Sequence, residues 1–172
     1  MTNTFDKIQT VTVGSGGAAN IEFTSIPGTY TDLKIFGSTR SGSSSGNQLA
    51  LRFNSDTGSN YSRKLLYGDG SSVQSFSGTS ETYARFAFTQ SSTFTASVFN
   101  NFVIYIPNYA TSLTKVAGAE GVTENNATQA EASLHGITWN SSAAITIITL
   151  LDSGSTNFAQ YSSATLYGIK NT

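Results

Sequence analysis

Ala143–Lys170 reads AAITIITLLDSGSTNFAQYSSATLYGIK, and it decides the fold class. It holds two strand-like runs, Ala144–Leu151 and Ala164–Lys170, joined by the polar stretch Asp152-Ser-Gly-Ser155 and the aromatics Phe158 and Tyr161. Ile145, Thr146, Ile147, Ile148 and Thr149 are β-branched in succession, which suits a pleated, half-buried surface. Asn171 and Thr172 follow the second run at once. A strand so placed is expected inside a sheet and not loose at its border.

The same grammar extends through the rest of the chain. Lys7–Val13 alternates apolar and polar residues and breaks at Gly14-Ser-Gly-Gly17. Asn20–Ile26 alternates again, with Ile21 and Phe23 on one face, and ends at Pro27-Gly28. Tyr30–Arg40, Gln48–Asn54, Tyr61–Tyr67, Tyr83–Thr89 and Phe99–Ile106 read as strands, and Leu113–Ala119 and Ala130–Trp139 as weaker ones. Val73–Gly78 is poorly patterned. The segments between are rich in Gly, Ser, Asn and Asp, including Ser41–Gly46, the Asn54–Asn60 turn and the polar stretch Thr123–Thr128. No window carries a sustained helical period. About ten strands without helices predict an all-β chain, an antiparallel β-sandwich of jelly-roll type, in one domain spanning residues 1–172. Residues 1–7 are expected to form an N-terminal arm with Phe5 as its apolar anchor.

Composition narrows the function classes. Charged residues make up 11% of the chain and the net charge is −1, against about 25% charged residues in an ordinary globular protein. Such a surface has no field to steer nucleic acid or an acidic membrane, so neither is an expected partner. It also gives a free monomer little colloidal protection, which favours a chain whose surface is used up in an assembly. No cysteine is present, which removes disulfides, thiolate zinc sites and a cysteine nucleophile. Neither a signal peptide nor an apolar run of membrane-spanning length is expected from the sequence.

Catalytic patterns are weak. His135 is the one histidine. No Gly-x-Ser-x-Gly elbow accompanies it, and a structural role is the expectation. The ten carboxylates lie mostly in or beside turns, with no pair standing out as a glycosidase couple. Asn54-Ser-Asp-Thr-Gly-Ser-Asn60 places oxygen ligands two apart around a glycine, but the twelfth position from Asn54 is Leu65, not an acid. It is expected to be a tight turn, with Gly58 supplying a positive φ. No cofactor, metal or catalytic residue is expected, and the chain reads as a non-enzyme. Phe23, Phe53, Phe86, Phe88, Phe99 and Phe102 read as core. Tyr30, Tyr61, Tyr109 and Tyr161 fall at strand ends or loops, and with Phe5 the last three are candidate contacts to a partner or a second subunit.

Three blocks carry a likeness. LKIFGSTR at Leu33–Arg40, RFN-x-DTG-x-NY at Arg52–Tyr61, and SSATLYGIK at Ser162–Lys170 resemble small β-rich virion proteins of tailed bacteriophages. The resemblance implies a virion structural protein. One form is a capsid decoration (cement) protein that binds the major capsid protein where capsomers meet, as a homotrimer, and assembles in the host cytoplasm. The other is a tail-fibre or head-fibre module that recognises a host surface glycan, with exposed tyrosines and Trp139 stacking on sugars.

Overall fold

The computed structural model describes residues 4–125 and 130–170. Twelve strands form among them, with no helix. They are β1 (Phe5–Thr12), β2 (Asn20–Phe23), β3 (Asp32–Ser38), β4 (Gln48–Phe53), β5 (Tyr61–Gly68), β6 (Val73–Glu81), β7 (Ala84–Phe88), β8 (Asn101–Ile106), β9 (Lys115–Val122), β10 (Ala132–Trp139), β11 (Ile148–Asp152) and β12 (Ser163–Ile169).

Two antiparallel sheets face each other. The large one has the order β1-β12-β3-β8-β9-β10-β5-β6 and the small one β2-β11-β4-β7. Setting aside the hairpins β5–β6 and β9–β10, the remaining eight strands in chain order give sheets 1-8-3-6 and 2-7-4-5. That is the pair of interleaved Greek keys of a jelly roll. The two hairpins are added alongside β8 and double the width of one sheet only. The small sheet cannot cover so wide a partner, although its edge strand β7 packs over β9 and β10. The closing strand β12 lies between β1 and β3, inside the sheet as its sequence position implied.

The core fills the space between the sheets. Ile21, Phe23, Leu33, Ile35, Leu51, Phe53, Phe86, Ile104, Ile106 and Leu166 are fully buried, each contributing about 1.5–3 kcal/mol by leaving water. Phe86 and Phe102 meet edge to face at 5.0 Å between centroids. Gly37 permits this packing, since a Cβ there would fall 2.0 Å from the Phe102 ring. Phe88 and Phe99, expected in the core, are only half-buried.

Several boundaries move for local reasons. The run Ala144–Leu151 enters a ladder only at Ile148. The Asn54 side chain takes its first half, accepting the N–H groups of Thr146 (2.9 Å) and Ile147 (3.1 Å) and donating to the Ala144 carbonyl (2.8 Å). The expected N-terminal arm is not free from Phe5 onward. Phe5, Asp6 and Lys7 pair with Ile169, Gly168 and Tyr167, because alternation begins at Phe5 and the open side of β12 accepts it. Thr2 and Asn3 lie outside the described residues, as do residues 126–128 of the polar stretch.

Candidate functional site

Strand alternation gives the large sheet an inner face toward the core and an outer face that nothing among the described residues covers. Register defines the outer face. One row crosses all eight strands through Thr10, Thr165, Phe36, Val103, Glu120, Leu134, Leu66 and Ser75. The next runs through Lys7, Tyr167, Lys34, Tyr105, Gly118, Gly136, Lys64 and Ser77.

This face is apolar beyond the ordinary. Of eleven exposed large hydrophobic side chains among the described residues, eight are on it: Phe5, Phe36, Leu66, Val73, Tyr105, Val116, Val122 and Leu134. Exposed apolar side chains scattered singly need no explanation, whereas a contiguous patch marks an interaction surface. At one side Phe5, Phe36 and Tyr167 form a ring cluster, with centroids 4.8–6.3 Å apart. In the middle Gly118 and Gly136 are paired neighbours. A Cβ at either would meet nothing within 4 Å, so they expose bare backbone to an approaching partner and no internal packing requires them. Shallow depressions beside them are lined by Val103, Tyr105, Glu120, Leu134 and Leu66. Charge is sparse on these two rows: Lys7, Lys34 and Lys64 against Glu120. Asp32 at the border is buried and accepts hydrogen bonds from Tyr105 Oη (2.8 Å) and Asn108 N–H (2.9 Å).

The candidate contact residues divide. Phe5 is 43% exposed on this face, and Tyr161 is 70% exposed in a loop near the end of β1. Tyr61 and Tyr109 correct the expectation, since both are 0% exposed. Each ring fills the core end and each hydroxyl ties a loop. Tyr61 Oη accepts the Phe53 N–H (3.0 Å), and burial pushes its pKa up to about 12. Tyr109 Oη donates to the Pro27 carbonyl and receives the Tyr30 N–H at 3.4 Å. Trp139 is equally unavailable for stacking on a sugar. It is buried, lies 6.4 Å from Tyr61 in a stacked pair, and donates its Nε1–H to Asp56 at 2.7 Å.

That bond also explains the Asn54–Asn60 turn. Asp56 accepts from Trp139 Nε1, Asn60 Nδ2 (2.9 Å) and the Gly58 N–H (2.8 Å). Burial works against its carboxylate, but these three donors outweigh it and hold the pKa below the ordinary value. The positive φ angles are at Asn54 (51°) and Ser55 (56°), not at Gly58 as expected. Gly58 instead makes room for the Asn60 amide, 2.8 Å from where a Cβ would stand.

His135 points inward from β10. It is 1% exposed, and neither ring nitrogen has a hydrogen-bond partner. Burial, followed by the nearby Arg63 guanidinium, lowers its pKa to about 4, with the Arg85 backbone opposing slightly. Arg63 in turn is held by Glu81 (3.0 Å), which also receives Arg85 (2.8 Å). No group of three or more His, Asp or Glu side chains among the described residues could hold a metal ion. At the loop end of the sandwich, Arg40 donates to the carbonyls of Thr95 (2.8 Å), Val98 (2.7 Å), Ser92 (3.1 Å) and Phe94 (3.2 Å), pinning the β7–β8 connection.

The outer face was not legible as a site in sequence. On β10 Leu134 lies between the buried polar Ser133 and His135, and on β9 Val116 follows the buried Lys115, so apolar character does not mark the buried side of these strands. Only the sheet order shows that Val116 and Val122 of β9, Leu134 of β10 and Leu66 of β5 share one solvent-facing side. Comparison with known proteins adds no assignment: no family model, no curated protein and no solved structure matches the chain.

Proposed function

We propose that the protein is a bacteriophage virion structural protein, a decoration protein that binds the head shell across neighbouring capsid subunits. The observation that carries this reading is the outer face. Eight exposed apolar side chains share one face of the large sheet, which the fold widens by two extra hairpins and which no described residue covers. The likeness of the Leu33–Arg40, Arg52–Tyr61 and Ser162–Lys170 blocks to phage virion proteins supplies the identity of the partner.

The mechanism is binding without chemistry. Phe36, Leu66 and Leu134 would leave water against the shell. Gly118 and Gly136 would let a partner strand or loop approach the backbone closely. A copy bound only to the assembled shell stabilises it by mass action, and attachment at many symmetric positions adds avidity. A fibre module that binds host glycan is the second reading. Burial of Trp139, Tyr61 and Tyr109 takes away three of the aromatics that reading relied on and leaves it Tyr161 and the outer-face rings of Phe5, Phe36 and Tyr105.

The test is co-sedimentation of purified protein with expanded capsids that lack it. The proposal expects saturable binding that Leu134→Glu weakens by more than tenfold, an effect of about 1.4 kcal/mol or more per contact. Absence of binding to such capsids, together with retention on host cells, would move the assignment to the fibre reading.

A further inference from the structure

The four sheet edges are not equally protected. Edge strands expose a row of hydrogen-bonding groups, and native proteins blunt them by shortness, charge or bulges. β2 and β7 are short, with four and five residues. β1 carries a register shift between Lys7 and Gln9 and an Asp6–Lys170 ion pair at 3.6 Å. β6 is blunted only at its far end, where its ladder with β5 shifts register between Gly78 and Glu81 and Glu81 supplies the one charge. It is nine residues long, its exposure is nearly continuous, and it bears no charge before Glu81. Among the described residues it pairs with β5 alone.

Its regular part is self-complementary. Its register with β5 is unbroken from Val73 to Gly78 and shifts before Glu81, where Ser80 has φ 56°; Phe76 is the midpoint of the stretch from Val73 to Thr79 that precedes this kink. Paired antiparallel with a second copy about Phe76, Ser75 opposes Ser77′, Gln74 opposes Gly78′ and the β-branched Val73 opposes Thr79′. No charge meets a like charge, and the two Phe76 rings meet as a cross-strand aromatic pair. Phe76 is 53% exposed on the side where the small sheet stops short, with the Arg63 guanidinium 4.7 Å from its ring centre. A three-fold ring built through the edges of the large sheet would need β6 to join β1 of a neighbour head to tail. The bulge and charges of β1 oppose that.

We propose that β6 pairs antiparallel with β6 of a second copy of this chain across a two-fold axis at Phe76, joining two eight-stranded sheets into one. The contact is isologous and closes on itself, so it yields a dimer and no fibre. It does not depend on what the outer face binds.

The chain has no cysteine, so disulfide trapping can read this directly. Residues opposite each other on antiparallel strands have Cα atoms about 4.5–5.5 Å apart, within the span a disulfide bridges. Phe76→Cys should form a covalent dimer of twice the 18.1 kDa protomer mass under mild oxidation, about tenfold faster than Val116→Cys on the outer face. A mixture of Ser75→Cys and Ser77→Cys proteins should cross-link to each other in preference to themselves, which fixes the register even if Phe76→Cys folds poorly. Light scattering of the unaltered chain should show a mass rising from one protomer toward two with concentration. A protomer mass at every concentration, equal cross-linking at positions 76 and 116, or a trimer in which Cys-substituted position 76 does not bridge would each overturn the pairing.

Discussion

The two faces of the large sheet use similar residues for opposite ends. On β10 the inner positions are Ser133, His135, Ile137 and Trp139, and the outer ones Ala132, Leu134, Gly136 and Thr138. On β5 the inner positions include Arg63 and the outer ones Leu66. A buried arginine and histidine therefore back an exposed pair of leucines. Hydropathy does not separate the faces here, because what decides burial is whether the small sheet reaches over a given strand. It reaches over β9, β10 and part of β5. It does not reach the outer side of any of them, and it stops before β6. The inner face is thus paid for in polar groups that must be satisfied or kept neutral, and the outer face keeps apolar surface available for a partner.

Breaking the inner face should have the largest effect. Phe86→Ala, on β7 of the small sheet, removes a fully buried ring packed on Phe102 of that inner face and should cost about 3–5 kcal/mol of unfolding free energy, read by chemical denaturation. The second effect is acid sensitivity. The folded pKa of His135 lies at about 4, below the ordinary 6.5. The unfolded chain therefore binds the extra proton first. Stability is complete above pH 6.5, declines as pH falls from 6.5 toward 4, and stops declining from this source below that. The loss over the window is about 3 kcal/mol. His135→Met should flatten the profile between pH 6.5 and 4, and an unchanged slope would refute the assignment.

Asp56→Ala should come next. It strands the buried Trp139 Nε1–H and frees the Asn54–Asn60 turn, at a cost of about 1–3 kcal/mol. Calorimetry with and without a chelator would show the same melting temperature for the unaltered chain, since the Asp56 oxygens are already engaged by donors. The smallest effect belongs to the outer face: Leu134→Ala should change stability by less than about 0.5 kcal/mol while weakening capsid binding. A large destabilisation by Leu134→Ala would show that this face is structural and would collapse the contrast between the two.

Much of this architecture was legible in the chain. About ten strands are readable, although Leu113–Ala119 and Ala130–Trp139 only weakly and Ala144–Leu151 from its β-branched run instead of alternation, and the pattern around Leu49, Leu51 and Phe53 names the buried side correctly. β6 did not announce itself, because a strand exposed on both faces has no alternation to display; Val73, Gln74 and Ser75 are all exposed. The tyrosines misled for a related reason. Tyr61 and Tyr109 begin or follow strands where rings usually sit at the rim, but here their hydroxyls find backbone partners inside the loop end. The outer face stayed hidden because it is a property of sheet order, set by where the two inserted hairpins dock.

The most direct test of the docking face is hydroxyl-radical footprinting of the protein free and on particles. The account predicts that Phe36, Leu66, Tyr105 and Leu134 lose most of their labelling on the particle while Leu113, an exposed residue of the β8–β9 connection outside these rows, keeps its own. Unchanged labelling of the four, with protection appearing instead at Leu113 or Tyr161, would contradict it.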